Sequence, residues 1–461
     1  QIHSIFSGPD FFSIFAFGKE NIGFVMNLMS GFASALTIAF MYWSIILILL
    51  KIVKTKKEYE LKKNFAISGA ALVGCLSFTF TDSFWFNAVE AEVYAMATLI
   101  MAVLFYLGLR WESDMHKPRG DKWLLLISFV IGLSFGVHFM GLLTIPAIFL
   151  IYYFKNSKEI NAKYGLSLKS GFVIANIIGL VILMGVFKLI LPNTLKFFSV
   201  IELLFVNNFG LPFNSGTLAA FIILGFTFYY LIDFTIKKKL ITANTIVLCF
   251  LFIFIGFSSW LILPIRANAN VVVNENNPSN ARELLAYYNL EQYPKTHLFY
   301  GPLFSDQYSG MDEDKNKRYK DDNPKYEKDL EKNKYVIVND YKDALQNYNS
   351  DHASILPRMW SSEHAVNYLN YTGFLDFKIK PSYSNESELQ DFILEFKNEL
   401  NSGQIDYEDY HNFLRKYGQQ YLDVEKPSFL DNLHYLFDYQ IGYMYLRYFM
   451  WNFAGRQDDI Q

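Results

Sequence analysis

The chain has 461 residues, 41 Lys and Arg against 44 Asp and Glu, and 52% hydrophobic residues, among them 45 Phe, 31 Tyr and 7 Trp. This composition excludes a disordered chain, a collagen-like repeat and a disulfide scaffold, and the net charge of -3 excludes a strongly basic nucleic-acid binder. The averages hide a division: residues 1–265 carry 20 basic and 13 acidic residues, whereas residues 266–461 carry 21 and 31.

In chain order, Ile2–Phe17 is apolar but broken by Gly8 and Pro9, without the charged start and cleavage site of a signal peptide. A bilayer core of about 30 Å needs roughly 20 apolar residues in a helix. Gly23–Leu50, Asn64–Phe80, Ala91–Leu109, Leu168–Leu191, Thr217–Ile236 and Ile241–Leu263 meet that length. The longer stretch Trp123–Phe154 contains Gly136, His138, Gly141 and Pro146, and reads as two helices meeting at a bend near His138. About eight membrane segments are expected, all helical, because backbone polar groups in hydrocarbon must be paired internally. Thr194–Val206 is expected to be an amphipathic segment lying in the interface. Cys75 and Cys249 both sit in apolar runs and say little about redox compartment.

Loops 51–63, 110–122, 155–169 and the turn near 237 hold 17 Lys and Arg, while the intervening loops hold almost none. With a bend at His138, all four basic loops fall on one side, which the charge rule makes cytoplasmic. The expected fold is mainly α. A polytopic helical bundle over 1–265 is followed by a mixed, mostly helical, outer-face soluble domain over 266–461. There, His297–Tyr300 and Lys334–Asn339 read as strands, and Ala281–Tyr288, Ser387–Leu400, Tyr407–Tyr421 and Ser428–Phe453 as helices. The charged segment Met311–Lys334 reads as a mobile surface loop. The aromatic stretch Tyr435–Phe453 suits either a headgroup-facing surface or an aromatic core helix.

The outer loop TDSFWFNAVEAEVYA gathers Asp82, Glu90 and Glu92 with no Lys or Arg beside them. Carboxylates at membrane depth are costly unless a task or partner keeps them there. They are candidates for a general base, a hydroxyl-orienting group or ligands of a divalent cation, Mg or Mn. The structural alternative is a helix cap at Asp82 and macrodipole-stabilised acids at Glu90 and Glu92. Trp85 between them is either part of an interfacial aromatic belt or a sugar-stacking surface. His138, in GVHFMG, is either a packed hydrogen-bonded residue or a substrate contact. Arg266, in IRANANVVVNENNP, can fork onto phosphate oxygens or snorkel to headgroups. Asn268 and Asn270 in the same string build turns or hydrogen-bond sugar hydroxyls.

The strings TDSFWFNAVEAEVYA, GLSFGVHFMGLLTIPA, IRANANVVVNENNP, LEQYPKTHLFYGP and LRYFMWNFAGRQDDIQ resemble a family of large bacterial multi-pass membrane proteins. That family was long catalogued as a domain of unknown function. It is related to transmembrane protein O-mannosyltransferases in the C-type glycosyltransferase superfamily. The resemblance implies transfer of a sugar from a polyprenyl-phosphate donor to a hydroxyl, on an exported protein's Ser/Thr or a surface glycan. The reaction would run on the periplasmic side of a bacterial inner membrane. It ranks Glu92, in its A-E-V-aromatic pattern, above Glu90, and gives Arg266 the donor phosphate. It also implies a catalytic acidic loop before Gln1 and further helices after Gln461, so that this piece alone is expected to be inactive. Where the family often has Pro-Pro and Asp, this chain has Val271, Val272 and Asn274. Two other classes remain in view: a non-catalytic membrane subunit of an envelope or export complex, and a transporter or flippase. No nucleic-acid partner is expected.

Overall fold

A helix satisfies its own amides where no water can, and apolar runs of this length fold accordingly. The computed structural model describes residues 21–54, 59–269, 271, 274–290, 293, 297–309, 319–320, 326–338 and 345–452. Asn270, Lys56, Lys57 and Ile2–Phe17 lie outside the described residues. Contacts divide the chain into two units: Gln1–Leu290 with Lys328–Val336, and Glu291–Glu327 with Ile337–Gln461.

The first unit is a helical bundle. Its helices are α1 (Ile22–Ile52), α2 (Glu60–Thr79), α3 (Asp82–Val89), α4 (Val93–Asp114), α5 (Lys122–Ser134), α6 (Thr144–Tyr164) and α7 (Leu168–Met184). They continue with α8 (Leu191–Leu203), α9 (Ser215–Lys237), α10 (Ile241–Phe257), α11 (Ile262–Ala267) and α12 (Ala281–Tyr288). Among the described residues six helices are long and apolar enough to cross a membrane, and α2 with α3, bent by 70°, form either a broken seventh span or a re-entrant loop. The chain is thus a multi-pass membrane protein. The eighth expected segment exists as α5, but its 13 residues span only about 20 Å, short of the hydrocarbon core.

The bend expected near His138 is present. Helix α5 ends at Ser134, His138 is extended, and a 3-10 turn over Phe139–Leu143 leads into α6. The break expected at Leu191 is absent. A π-helical turn, Gly185–Ile190, joins α7 to α8, and a second, Leu204–Asn208, prolongs it, giving one helix of 41 residues. Pro192 falls in the first turn after the π turn, where a missing N–H is tolerated best. Thr194–Val206 is not a separate segment but continues this helix. It buries Leu195, Phe198, Ser199 and Glu202 and packs against α9 and α12.

Small residues set the closest approaches, as expected where apolar lipid gives no net drive to helix association. A Cβ on Gly132 of α5 would strike the Ile253 carbonyl of α10, and one on Gly256 of α10 would strike the Phe129 carbonyl of α5. The two backbones therefore touch with no side chain between them. The core runs through Leu104, Phe135, Leu142, Leu191 and Trp260, and takes in Leu284 and Leu285 of α12.

The basic loops gather at one end. Lys51 and Lys155 both pair with Glu112, the latter at 2.9 Å, and Thr245 at the start of α10 bonds Asp121 at 3.1 Å. These contacts join the four loops whose alternation the charge pattern predicts.

The second unit is smaller and mixed. Tyr300–Pro302 pairs antiparallel with Ala353–Ile355, and Phe377–Ile379 with Leu422–Val424. Ala365–Thr372, Ser387–Ser402 and Tyr407–Tyr421 are helices around a core of Phe304, Tyr308, Met359, Leu369, Tyr410 and Leu414. Asp406 caps Tyr407–Tyr421 through the amides of Glu408 and Asp409, and Ser428 forms a capping box with Asp431. The last stretch is α-helical over Phe429–His434 and then π-helical over Tyr435–Leu446. Tyr435, Tyr439 and Tyr443 stack along it, and the Arg447 guanidinium lies 4.0 Å from the Tyr443 ring. Tyr435 is buried, while Phe437, Tyr445 and Phe449 are exposed.

One expectation here is overturned. The charged segment Met311–Lys334 is not all loop: Tyr326–Asp329 is a strand paired with Lys334–Ile337. The core of this hairpin, Lys328–Val336, belongs to the first unit.

Candidate functional site

Helix direction fixes which residues share an end of the bundle. Helix α4 runs from the acidic loop to Glu112 among the lysines, and α10 runs from Thr245, also among the lysines, to Trp260 and Arg266. Glu92 and Arg266 therefore both lie at the end opposite the lysine loops.

The acidic loop is a short bent helix with a tight turn. Asp82 is the first residue of α3 and is half-buried. Glu90 ends α3 and Glu92 occupies the N-cap of α4; both are exposed, and the Glu92 amide donates to the Glu90 carbonyl at 2.8 Å. Glu92 makes no side-chain cap, so its carboxylate is not consumed by the helix it precedes. Trp85 is half-exposed and stacks on Phe80 at 5.7 Å.

The His138 bend joins this loop to the rest of the end. Its ring lies 5.7 Å from Tyr94 in the first turn of α4, and its Nδ1 accepts from the Met140 amide at 3.2 Å. Next to it, Phe139 meets Phe187 at 5.1 Å and Tyr288 at 6.3 Å. Trp260 Nε1 donates to the Phe135 carbonyl at 2.7 Å. The structural reading of His138, a packed and hydrogen-bonded residue, is thus realised, and it sits against the aromatic residue two positions after Glu92.

Beyond Trp260 a cavity of about 340 Å³ opens between α8, α9, α10 and α12. Phe198, Phe221, Phe257 and Leu261 give it apolar walls, and Asn214, Thr217 and Asn268 a polar edge. Arg266 is half-buried in the last turn of α11, beside the lining residues Ile265 and Asn268. Asn268 Nδ2 donates to the carbonyls of Pro264 at 2.7 Å and Ser279 at 2.8 Å. Asn274 likewise bonds Ala267, and Asn276 and Asn277 have positive φ, so these asparagines build turns. Among the described residues no group of three or more His, Cys, Asp and Glu is placed to hold a metal ion. Asp82, Glu90 and Glu92 therefore do not form the multidentate oxygen cage a divalent cation prefers.

Sequence reasoning missed a fully enclosed acid at this end. Glu202 of α8 is fully buried. It accepts from the Asn214 amide at 2.6 Å, the Thr217 amide at 2.8 Å, the Thr217 hydroxyl at 3.0 Å and the Tyr335 hydroxyl at 3.1 Å. Asn207 completes the docking of the hairpin, donating to the Tyr335 carbonyl at 2.8 Å and accepting from its amide at 2.9 Å. Burial and then the neighbouring Glu202 carboxylate push the Tyr335 phenol well above its ordinary pKa, so it stays a hydrogen-bond donor. Asn214 and Thr217 also line the cavity, so the carboxylate braces the cavity edge and the hairpin together. The available signal was that Glu202 is the lone acid between Glu159 and Asp233, a costly group to retain without a task.

Comparison with known families adds two findings. Residues 7–161 match the family described as protein O-mannosyl-transferase TMEM260 N-terminal domain. Residues 294–437 match a family of unknown function, DUF8416. No curated protein and no solved structure matches the chain. The first match covers the acidic loop and His138, and supports a relation between this membrane unit and protein O-mannosyltransferases.

Proposed function

We propose that this chain is part of a membrane glycosyltransferase of protein O-glycosylation. It moves a sugar from a polyprenyl-phosphate donor to a hydroxyl of an exported protein or surface glycan. The observation that carries this reading is the O-mannosyltransferase match over the stretch holding Asp82, Glu90, Glu92 and His138. The apolar cavity at the same end of the bundle supports it, as a seat for part of an isoprenoid chain. The lysine loops then face the cytoplasm of a bacterial inner membrane, and the reaction runs on the periplasmic side.

In this reading Glu92 orients the attacking hydroxyl, with Asp82 and Glu90 as neighbouring acids, as its oxygen bonds to the anomeric carbon and its proton passes to a carboxylate base. The bond from that carbon to the phosphate oxygen breaks, and the lipid phosphate leaves with the electron pair. Arg266 is the cation that takes up the phosphate charge. His138 and Trp85 border the sugar. No step is assigned to a divalent cation, because these acids do not converge on a ligand set. The test is sugar transfer by the full-length protein from polyprenyl-phosphate sugars, comparing wild type with Glu92→Gln and Arg266→Ala. Glu92→Gln is expected to lower kcat at least about a hundredfold, and Arg266→Ala to lower kcat/KM. Full turnover in both folded variants removes the assignment.

A further inference from the structure

At the lysine end a cleft of about 470 Å³ lies between the last turn of α1 and the first turns of α2. Leu49, Ile67 and Ala70 are among its apolar lining, and Lys54, Lys62 and Lys63 are its cations. Lys62 Nζ lies 5.9 Å from the ring of Tyr59, which also lines the cleft. Nearby Lys51 is neutralised by Glu112, which also takes Lys155. Among the described residues no acid lines the cleft, and no acidic side chain pairs with Lys54, Lys62 or Lys63. A charge bias that only orients a membrane protein requires lysines in the loop but no cleft. Here three lysines border a recess whose other lining is largely apolar.

We propose that this cleft binds one anionic phospholipid from the leaflet at the lysine end. Its phosphodiester lies among Lys54, Lys62 and Lys63, and one acyl chain lies along Leu49, Ile67 and Ala70. Charge complementarity selects the anion, since a zwitterionic headgroup would add a further cation to a site already holding three. The flanking Ile52, Leu61 and Phe65 are 68%, 84% and 82% exposed, which selects a lipid over a soluble phosphate because such surface belongs against hydrocarbon. Lysines are flexible point charges without a fixed fork, so the site reads a negative phosphodiester rather than one headgroup.

The test uses native mass spectrometry of the full-length protein with added phosphatidylglycerol or phosphatidylcholine. Wild type is expected to retain one phosphatidylglycerol preferentially. Each lysine near an anionic surface is worth roughly fivefold in affinity, so the combined Lys54→Gln, Lys62→Gln and Lys63→Gln variant should weaken retention at least about tenfold. The matching Lys→Arg variant should keep it. A control with Lys158→Gln, Lys163→Gln and Lys169→Gln, at the same end but outside the cleft, should also keep it. Ala70→Trp fills the recess without changing charge and should lose the lipid, which keeps the test decisive if the triple variant misfolds. The proposal is overturned if phosphatidylcholine is retained equally or if inorganic phosphate displaces the lipid. It is equally overturned if the control triple loses as much, or if Ala70→Trp retains the lipid unchanged.

Discussion

In the first unit, several buried hydroxyls bond within their own helix. Thr37 donates to the Ala33 carbonyl at 3.0 Å, Ser44 to Phe40 at 2.8 Å and Ser128 to Leu124 at 2.9 Å. In the second unit, buried polar groups reach across the sequence. Tyr308 meets His411 at 2.6 Å, His352 meets Ser305 at 2.9 Å, and Tyr410 donates to the Leu375 carbonyl. Asn432 accepts from the Arg358 amide at 2.8 Å and donates to the Leu356 carbonyl at 2.6 Å. A segment in hydrocarbon must close its bonds before it meets its neighbours, so its tertiary fit is left to shape. A segment folding in water can leave those bonds to the end, where they help select one arrangement of the chain. Glu202, like Trp260 with the Phe135 carbonyl, departs from that pattern: it joins α8 to the start of α9 and to a hairpin more than a hundred residues away.

That exception gives the largest expected effect. Glu202→Leu strands two amides and the Tyr335 hydroxyl in a buried site. It should cost about 3–5 kcal/mol, read as a lowered Tm and faster proteolysis within Lys328–Val336. An unchanged Tm would mean that the hairpin is held by other contacts. Next, Gly132→Val places a side chain where α5 and α10 touch. It should cost about 3 kcal/mol, while Gly69→Val, at a glycine with open space around it, should be tolerated. Equal effects would remove shape as the organising term of the first unit. In the second unit, Asn432→Ala should cost about 2 kcal/mol by leaving the Arg358 and Met359 amides and the Leu356 carbonyl unpaired.

The smallest effect is a pH dependence of the second unit. Burial, then Lys426, holds His352 below the usual histidine pKa, and burial, then Arg415, does the same to His411. The unfolded chain titrates these groups near about 6.5 and so binds more protons than the folded one just below that pH. Their contribution is complete above about pH 6.5 and is lost as pH falls through the lower folded values. Thermal unfolding between neutral and mildly acidic pH should show this slope, and His352→Asn should flatten it. A slope unchanged in both His352→Asn and His411→Gln would place the sensitivity elsewhere.

The elements that read cleanly were those coded locally. Ala281–Tyr288 and Tyr407–Tyr421 have the bounds that their Asn280 and Asp406 caps announce. The turn at His138 follows from glycines and a proline breaking one apolar run. What failed to read was non-local. Pro192 signals a break in sequence, but the π turn before it carries the helix on. Met311–Lys334 reads as solvated charge, yet Tyr326–Asp329 within it pairs with the strand Lys334–Ile337, which Asn207 and Glu202 seat over separations of more than a hundred residues. At the candidate site the residue types and their shared end of the bundle were legible. The cavity was not, because its walls come from four helices whose spacing no single stretch encodes.

The uninterrupted helix Leu168–Asn208 has a consequence of scale. Its 41 residues measure about 60 Å along the axis, roughly twice the thickness of a hydrocarbon core. Tilt absorbs only part of that surplus, so the final turns form a mast standing clear of the acyl chains. Glu202 lies near that far end, where its carboxylate is met by two amides and two hydroxyls.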